Sequence, residues 1–135
     1  GTTLLDYTSP QTGVEHEWTV KFIELTDDLV YDVQIINGDK INNYDESLPT
    51  PLIFVHGWMD SRLNWITILP EILNIVDSNQ IIILPTLRGF GDSQIFPIET
   101  STFTVDEFVN DLILLLQKLG FAADSCSQTK FNWIG

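Results

Sequence analysis

Positive charge is what this sequence has least of. Its 6 Lys and Arg residues stand against 19 Asp and Glu, giving a formal net charge of −13 over 135 residues. Phosphate backbones and anionic lipid surfaces would be repelled, so neither nucleic acid nor a membrane surface is expected as a partner. The acidic residues are densest between Asp6 and Glu46, where only Lys21 and Lys40 offset them, and they read as a solvated face. Cysteine is nearly absent. Cys126 is the one thiol, which excludes a disulfide within the chain. Its polar setting, Asp124 to Thr129, reads as a surface loop carrying a bystander thiol. Long hydrophobic runs are missing too. Ile81 to Leu84 and Leu112 to Leu116 are far too short to span a bilayer. Nothing near the N-terminus has the basic-then-apolar layout of a secretion signal. The chain opens on Gly1 rather than methionine, so a processed leader stays open; a soluble protein of the cytoplasm is the expectation.

What is present suffices for a core. Hydrophobic residues make up 44% and aromatics 11%, unlike a disordered chain. No repeat or low-complexity tract interrupts it. Residues 1–17, polar with Pro10 and Gly13, read as an irregular lead-in in which His16 is exposed. Residues 18–135 read as one unit. Trp18 to Leu25 and Leu29 to Ile36 alternate loosely, are rich in strand formers and flank the turn residues Thr26-Asp27-Asp28, which predicts an antiparallel hairpin. Leu52 to Val55 and Ile81 to Leu84 are continuous apolar runs, as in strands buried on both faces. Between them, 61–76 shows near-helical spacing that Pro70 must break or restart. A second helix is better specified. Thr104 and Glu107 form a capping box, with Phe103 placed to staple onto Phe108. Val105, Phe108, Val109, Leu112, Leu115, Leu116 and Leu119 share its apolar face, and Gly120 supplies the left-handed cap. Phe131 to Ile134 reads as a last apolar strand. A hairpin followed by βαβαβ is an α/β arrangement with parallel pairing.

Three segments carry the chemical signal: Leu52-Ile53-Phe54-Val55-His56-Gly57-Trp58, then Ile81 through Arg88-Gly89-Phe90-Gly91-Asp92-Ser93, then Phe131-Asn132-Trp133-Ile134-Gly135. The second contains G-x-G, but Gln94 stands where a dinucleotide fingerprint needs its third glycine. A nicotinamide cofactor, and a small Rossmann-like nucleotide binder, are therefore poorly supported. No cofactor and no metal site is expected.

In this order and spacing the segments resemble the N-terminal half of the α/β-hydrolase superfamily, with His56 to Ser61 most similar to its serine-hydrolase-like branch. The resemblance covers about 18–135. It implies that Gly135 is the first glycine of the nucleophile elbow G-x-S-x-G, so that the nucleophile falls just past it. It also implies that the Trp58 backbone N–H, presented after Gly57, is one of two oxyanion donors. His56 would brace that loop and not serve as the base. Arg88, Gly89, Gly91 and Ser93 would be architectural, and Trp58, Met59 and Phe90 would line the pocket. Asp60 is expected to cap the following helix. No catalytic residue lies within the chain, and the segment alone is expected to be inactive. The implied substrate is a small ester or related acyl compound attacked by a serine; an aspartate in that place would instead give epoxide or haloalkane chemistry. The implied partner is the remainder of the hydrolase, docked along the edge of strand 131–134. The other reading is a non-catalytic subunit using that edge to bind.

Overall fold

The computed structural model describes residues 2–8, 15–121 and 130–135. Its strands are β1 (Thr2–Thr8), β2 (Glu15–Thr26), β3 (Leu29–Ile36), β4 (Leu52–Phe54), β5 (Ile82–Pro85), β6 (Gln94–Ile95) and β7 (Asn132–Ile134). Its α-helices are α1 (Leu69–Leu73) and α2 (Val105–Lys118). They build one sheet in the order β1-β2-β3-β5-β4-β7, with the short β6 also paired to β3. β1, β2 and β3 form an antiparallel meander, and β3 meets β5 antiparallel. β4 lies between β5 and β7 and runs parallel to both. The hairpin followed by βαβαβ is thus present, in a mixed sheet.

The burial explains the composition of the strands. Ile81 and Ile83 face a cluster with Ile53, Val33, Ile35 and the α2 residues Leu112, Leu115 and Leu116. Ile82 and Leu84 face the opposite cluster, with Phe54, Ile36 and the α1 residues Leu69 and Leu73. A strand covered on both sides needs apolar residues at every position, which is why these runs are continuous. The capping box of α2 is made in both directions between Thr104 and Glu107, and Gly120 follows with φ +116°.

Several expectations are corrected. Thr2–Thr8 is not an irregular lead-in but an added edge strand on β2. The predicted helix over 61–76 is instead a 3-10 turn at Arg62–Trp65 and a separate short α1 with Pro70 in its first turn. The β-branched Ile66-Thr67-Ile68 between them disfavours a continuous helix. On α2, Val105 and Val109 are exposed with Ile113, while Phe108, Leu112, Leu115 and Leu116 make the contact. Cys126 and its loop lie outside the described residues. No helix among the described residues is long and apolar enough to cross a membrane.

His16 is fully buried, not exposed. Asn37 donates from Nδ2 to His16 Nδ1 (3.2 Å) and to the Gln80 carbonyl (2.8 Å). An acceptor at Nδ1 leaves the ring proton on Nε2, which donates to the Leu73 carbonyl at 3.1 Å. Asn37 Oδ1 also accepts the Glu17 N–H at 3.0 Å. The clamp joins β2, the end of β3 and the end of α1, and Asn37 serves it from a left-handed backbone (φ 57°). Asn37→Ala is expected to lower unfolding free energy by about 2–4 kcal/mol, since it strands buried polar groups and strains the backbone. Asn37→Gly should cost about 1 kcal/mol less, because glycine takes positive φ freely. Denaturant unfolding of the two variants checks this; equal losses would refute the backbone part.

Candidate active site

Parallel register decides where the loops go. Leu52, Ile53 and Phe54 of β4 pair with Asn132, Trp133 and Ile134 of β7, and Leu52 and Ile53 with Ile82 and Ile83 of β5. The Val55 N–H continues the ladder to the Ile134 carbonyl at 2.7 Å. The chain leaving β4 at His56-Gly57-Trp58, the chain leaving β5 at Thr86 to Ser93, and Gly135 at the end of β7 therefore emerge at the same edge of the sheet. The carboxyl ends of adjacent parallel strands are where open α/β sheets bind ligands.

His56 connects the first two loops. Its Nε2 accepts the Leu87 N–H at 2.8 Å, so the neutral ring carries its proton on Nδ1, which donates to the Gly57 carbonyl at 2.7 Å. Both ring nitrogens are committed to the backbone and the side chain is buried, which leaves no lone pair for a substrate proton. Gly57 is exposed, and a Cβ built on it would meet nothing within 4 Å. The sharp turn sits two residues later, where Met59 has φ 63°. The glycine therefore leaves room beside the backbone, and the left-handed turn falls to a methionine, an uncommon conformation for a long side chain. Trp58 and Met59 are exposed (67% and 76%). The Trp58 ring packs edge-on to Phe90 at 5.0 Å, and Phe90 in turn lies 6.1 Å from Phe103 and 6.2 Å from His56. Asp60 is not the cap of the following turn. Ser61 is, accepting the Leu63 N–H, while Asp60 Oδ1 accepts the Ser61 N–H.

The β5 loop is tied down by its own residues. Ser93 Oγ donates to the Thr86 carbonyl (2.5 Å) and accepts the Asp32 N–H (2.8 Å). Gly89 and Gly91 both have positive φ. A Cβ on Gly89 would lie 2.7 Å from the Phe103 ring, and one on Gly91 3.0 Å from Ser61 and Thr86. Arg88 clamps the loop to α2: Nε and Nη2 reach the two Asp111 oxygens (2.6 and 2.7 Å), and Nη1 reaches Glu107 and the Thr102 carbonyl. Tyr31 from β3 donates its hydroxyl to the same Asp111 at 2.8 Å. Burial above all, then the Asp111 charge and hydrogen bond, push the Tyr31 phenol well above its ordinary value. Asp111, hydrogen-bonded to Arg88, raises the guanidinium pKa as well. Hydrogen bonds from Thr102 and Thr104 hold Glu107 below the usual carboxylate range.

Asp111, Asp32, Gln34 and Arg62 were not among the candidate residues of the sequence. Asp32 and Gln34 look like the solvated positions of an alternating strand. Instead Arg62 covers them, with Nε on Asp32 Oδ2 at 2.8 Å and Nη1 on Gln34 Oε1 at 3.2 Å. Their available signal was two polar residues in an otherwise apolar strand.

Asp111→Ala should destabilise the protein by about 3 kcal/mol, because it strips the buried Tyr31 phenol of its acceptor and leaves Arg88 only its Nη1 contacts to Glu107 and the Thr102 carbonyl. Tyr31 adds a pH dependence. A phenol raised in the folded state contributes stability that is intact below the unfolded value of 10.0 and lost as pH rises beyond it. The stability difference between wild type and Tyr31→Phe, from urea unfolding at pH 8 to 11, should therefore shrink above pH 10. A constant difference would contradict this.

No family model and no curated protein matches the chain. Solved structures do. A candidate epoxide hydrolase from Pseudomonas aeruginosa superposes with a TM-score of 0.61 at 22% identity, over 87% of this chain and 32% of that one. A mutant epoxide hydrolase from Aspergillus niger gives 0.60 at 18% identity, over 78% and 26%. The 2-hydroxy-6-oxo-6-phenylhexa-2,4-dienoate hydrolase of Rhodococcus sp. strain RHA1 gives 0.50 at 18%, over 88% and 35%. The chain spans about a third of the length of these structures (26–35%). At such identities the likeness speaks to the fold, and it agrees with the strand order and register above. The chain folds as the N-terminal part of an α/β-hydrolase.

Proposed function

We propose that the chain is the N-terminal part of a hydrolase that cleaves an ester or related acyl substrate. One observation supports this reading: β4 and β7 run parallel and end at the same edge, with Gly135 beside Val55, two residues before the open backbone at Gly57-Trp58. A nucleophile two residues past Gly135 would then sit next to the Trp58 N–H. Its oxygen attacks the substrate carbonyl, and the carbonyl oxygen, now negative, accepts hydrogen bonds from the Trp58 N–H and from the N–H that follows the nucleophile. The alcohol leaves with a proton delivered by a base from later in the chain, and water then releases the acid from the acyl-enzyme. The exposed ring of Trp58 and the half-buried ring of Phe90 form one wall for an apolar acyl group. In this reading Met59 belongs to the same wall, and the chain alone, lacking nucleophile, acid and base, is inactive.

The remainder of the hydrolase, in the same or a second polypeptide, completes the site along β7. Among the described residues β7 pairs with β4 on one side alone, and Trp133 is half-exposed at this edge. An apolar edge strand of this kind favours pairing with further chain. A second reading, epoxide opening by a carboxylate nucleophile, is favoured by the names of the Pseudomonas and Aspergillus structures. The His-Gly-Trp loop suits the acyl reaction better, so serine is the proposed nucleophile.

Two experiments on the full-length protein test this. Treatment with a fluorophosphonate should label a serine two residues beyond Gly135; turnover of a styrene-oxide-type epoxide with no labelling would shift the assignment to a carboxylate. Gly57→Ala should keep stability within about 1 kcal/mol of wild type, since its Cβ meets open space. It should nonetheless lower kcat/KM at least about 100-fold by crowding the oxyanion position. Unchanged turnover in this variant would refute the site.

A further inference from the structure

The loop that presents the Trp58 N–H is short, exposed and bent through the left-handed Met59. Such a loop keeps one conformation only if both ends are fixed. His56 fixes the first end by its bond to the Leu87 N–H. Arg62 fixes the second. Its backbone N–H donates to Thr86 Oγ1 at 3.0 Å, while its guanidinium reaches over β5 to β3 and bonds Asp32 and Gln34. Thr86 is in turn held by its own N–H on the Asp32 carbonyl at 2.9 Å.

The ion pair is buried on both sides, with 13% of the Arg62 side chain and 4% of Asp32 exposed. Burying such a pair is poor value for stability, because desolvation offsets most of the attraction. Its geometry offers something else. A planar fork meets a carboxylate and an amide at once, which a lysine ammonium on a flexible stem would not hold in the same way. The two acceptors lie on one face of β3, at alternate positions of a strand on the far side of β5 from β4.

We propose that Arg62 is a positioning residue for the candidate oxyanion donor: its fork on Asp32 and Gln34 holds the loop so that the Trp58 N–H stays aimed at the site. The inference rests on the reading of that N–H as an oxyanion donor. If the fork is broken, the second end keeps the Arg62 N–H on Thr86 Oγ1 but loses its guanidinium hold. Met59 is then free to leave the left-handed region and take the Gly57–Trp58 peptide with it.

The test uses full-length protein, Arg62→Lys, and the double variant Asp32→Leu with Arg62→Leu. Removing both members of a buried pair together is close to neutral for stability, whereas removing one is not. The double variant thus removes the charge pair as a unit. Gln34 Oε1 loses its Arg62 guanidinium donor in both variants, and the melting temperature reads that cost apart from positioning. With tryptophan-specific 15N labelling, the Trp58 backbone order parameter should fall from about 0.85 to about 0.6 or below in both variants. With the ester substrate, kcat should fall about 100-fold while KM stays within about threefold, the pattern of an interaction made only in the transition state. A double variant with wild-type melting temperature, order parameter and kcat would overturn the proposal, and Arg62→Lys decides alone if the double variant does not fold. Should no ester or epoxide be turned over by wild type, the hydrolase reading fails by itself. The order parameter would then still decide whether Arg62 positions the loop.

Discussion

Everything functional in this chain depends on β4, a strand of three residues hydrogen-bonded on both sides. With β5 and β7 parallel to it, the chain must leave all three strands at one edge, and each departure lands beside the next. The crossovers that make this possible put α1 on one face and α2 on the other. Both faces are then buried, and the strands must be apolar throughout. Position in the sheet, more than any single side chain, brings the chain that leaves β4 toward Gly57-Trp58 to the same edge as the end of β7.

Two arginines turn that convergence into fixed geometry. Arg88 ties the β5 loop to α2 through Asp111, and Arg62 ties the β4 loop to β3 through Asp32. In an acidic chain with 6 Lys and Arg, both cations closest to the candidate site are consumed by internal carboxylates. Their value lies in placement, since buried pairs contribute little net stability. His56 acts in the same way by hydrogen bonding, with both nitrogens spent on backbone groups. The backbone N–H groups at the candidate site are thereby held by polar contacts that themselves lie away from solvent.

Much of this was legible in the sequence, and for identifiable reasons. Continuous apolar runs at 52–55 and 81–84 can only be two-sided strands, and Thr104 with Glu107 is a local signal that no tertiary contact needs to assist. Where the reading failed, the deciding partner was distant in sequence. Glu15-His16-Glu17 looks solvated, yet His16 is taken into the core by Asn37 and Leu73. Asp32 and Gln34 follow the alternation of a half-exposed strand, but Arg62, thirty and twenty-eight positions away, covers them. The helical spacing over 61–76 was real as a pattern of burial, while β-branched residues and Pro70 divided it. Gly57 illustrates a different limit. The sequence shows a glycine where a turn is wanted, whereas in the fold the turn is at Met59 and the glycine leaves space.

The central claim is that the site is completed by chain that continues from β7. Intact mass of the natural protein under denaturing conditions, with peptide mapping across Gly135, tests it most directly. The account predicts peptides that run on from Gly135 into x-Ser-x-Gly, or a co-purifying second polypeptide that supplies the remaining strands. A natural product of 15.3 kDa that ends at Gly135 and stays a monodisperse monomer with no companion would contradict it.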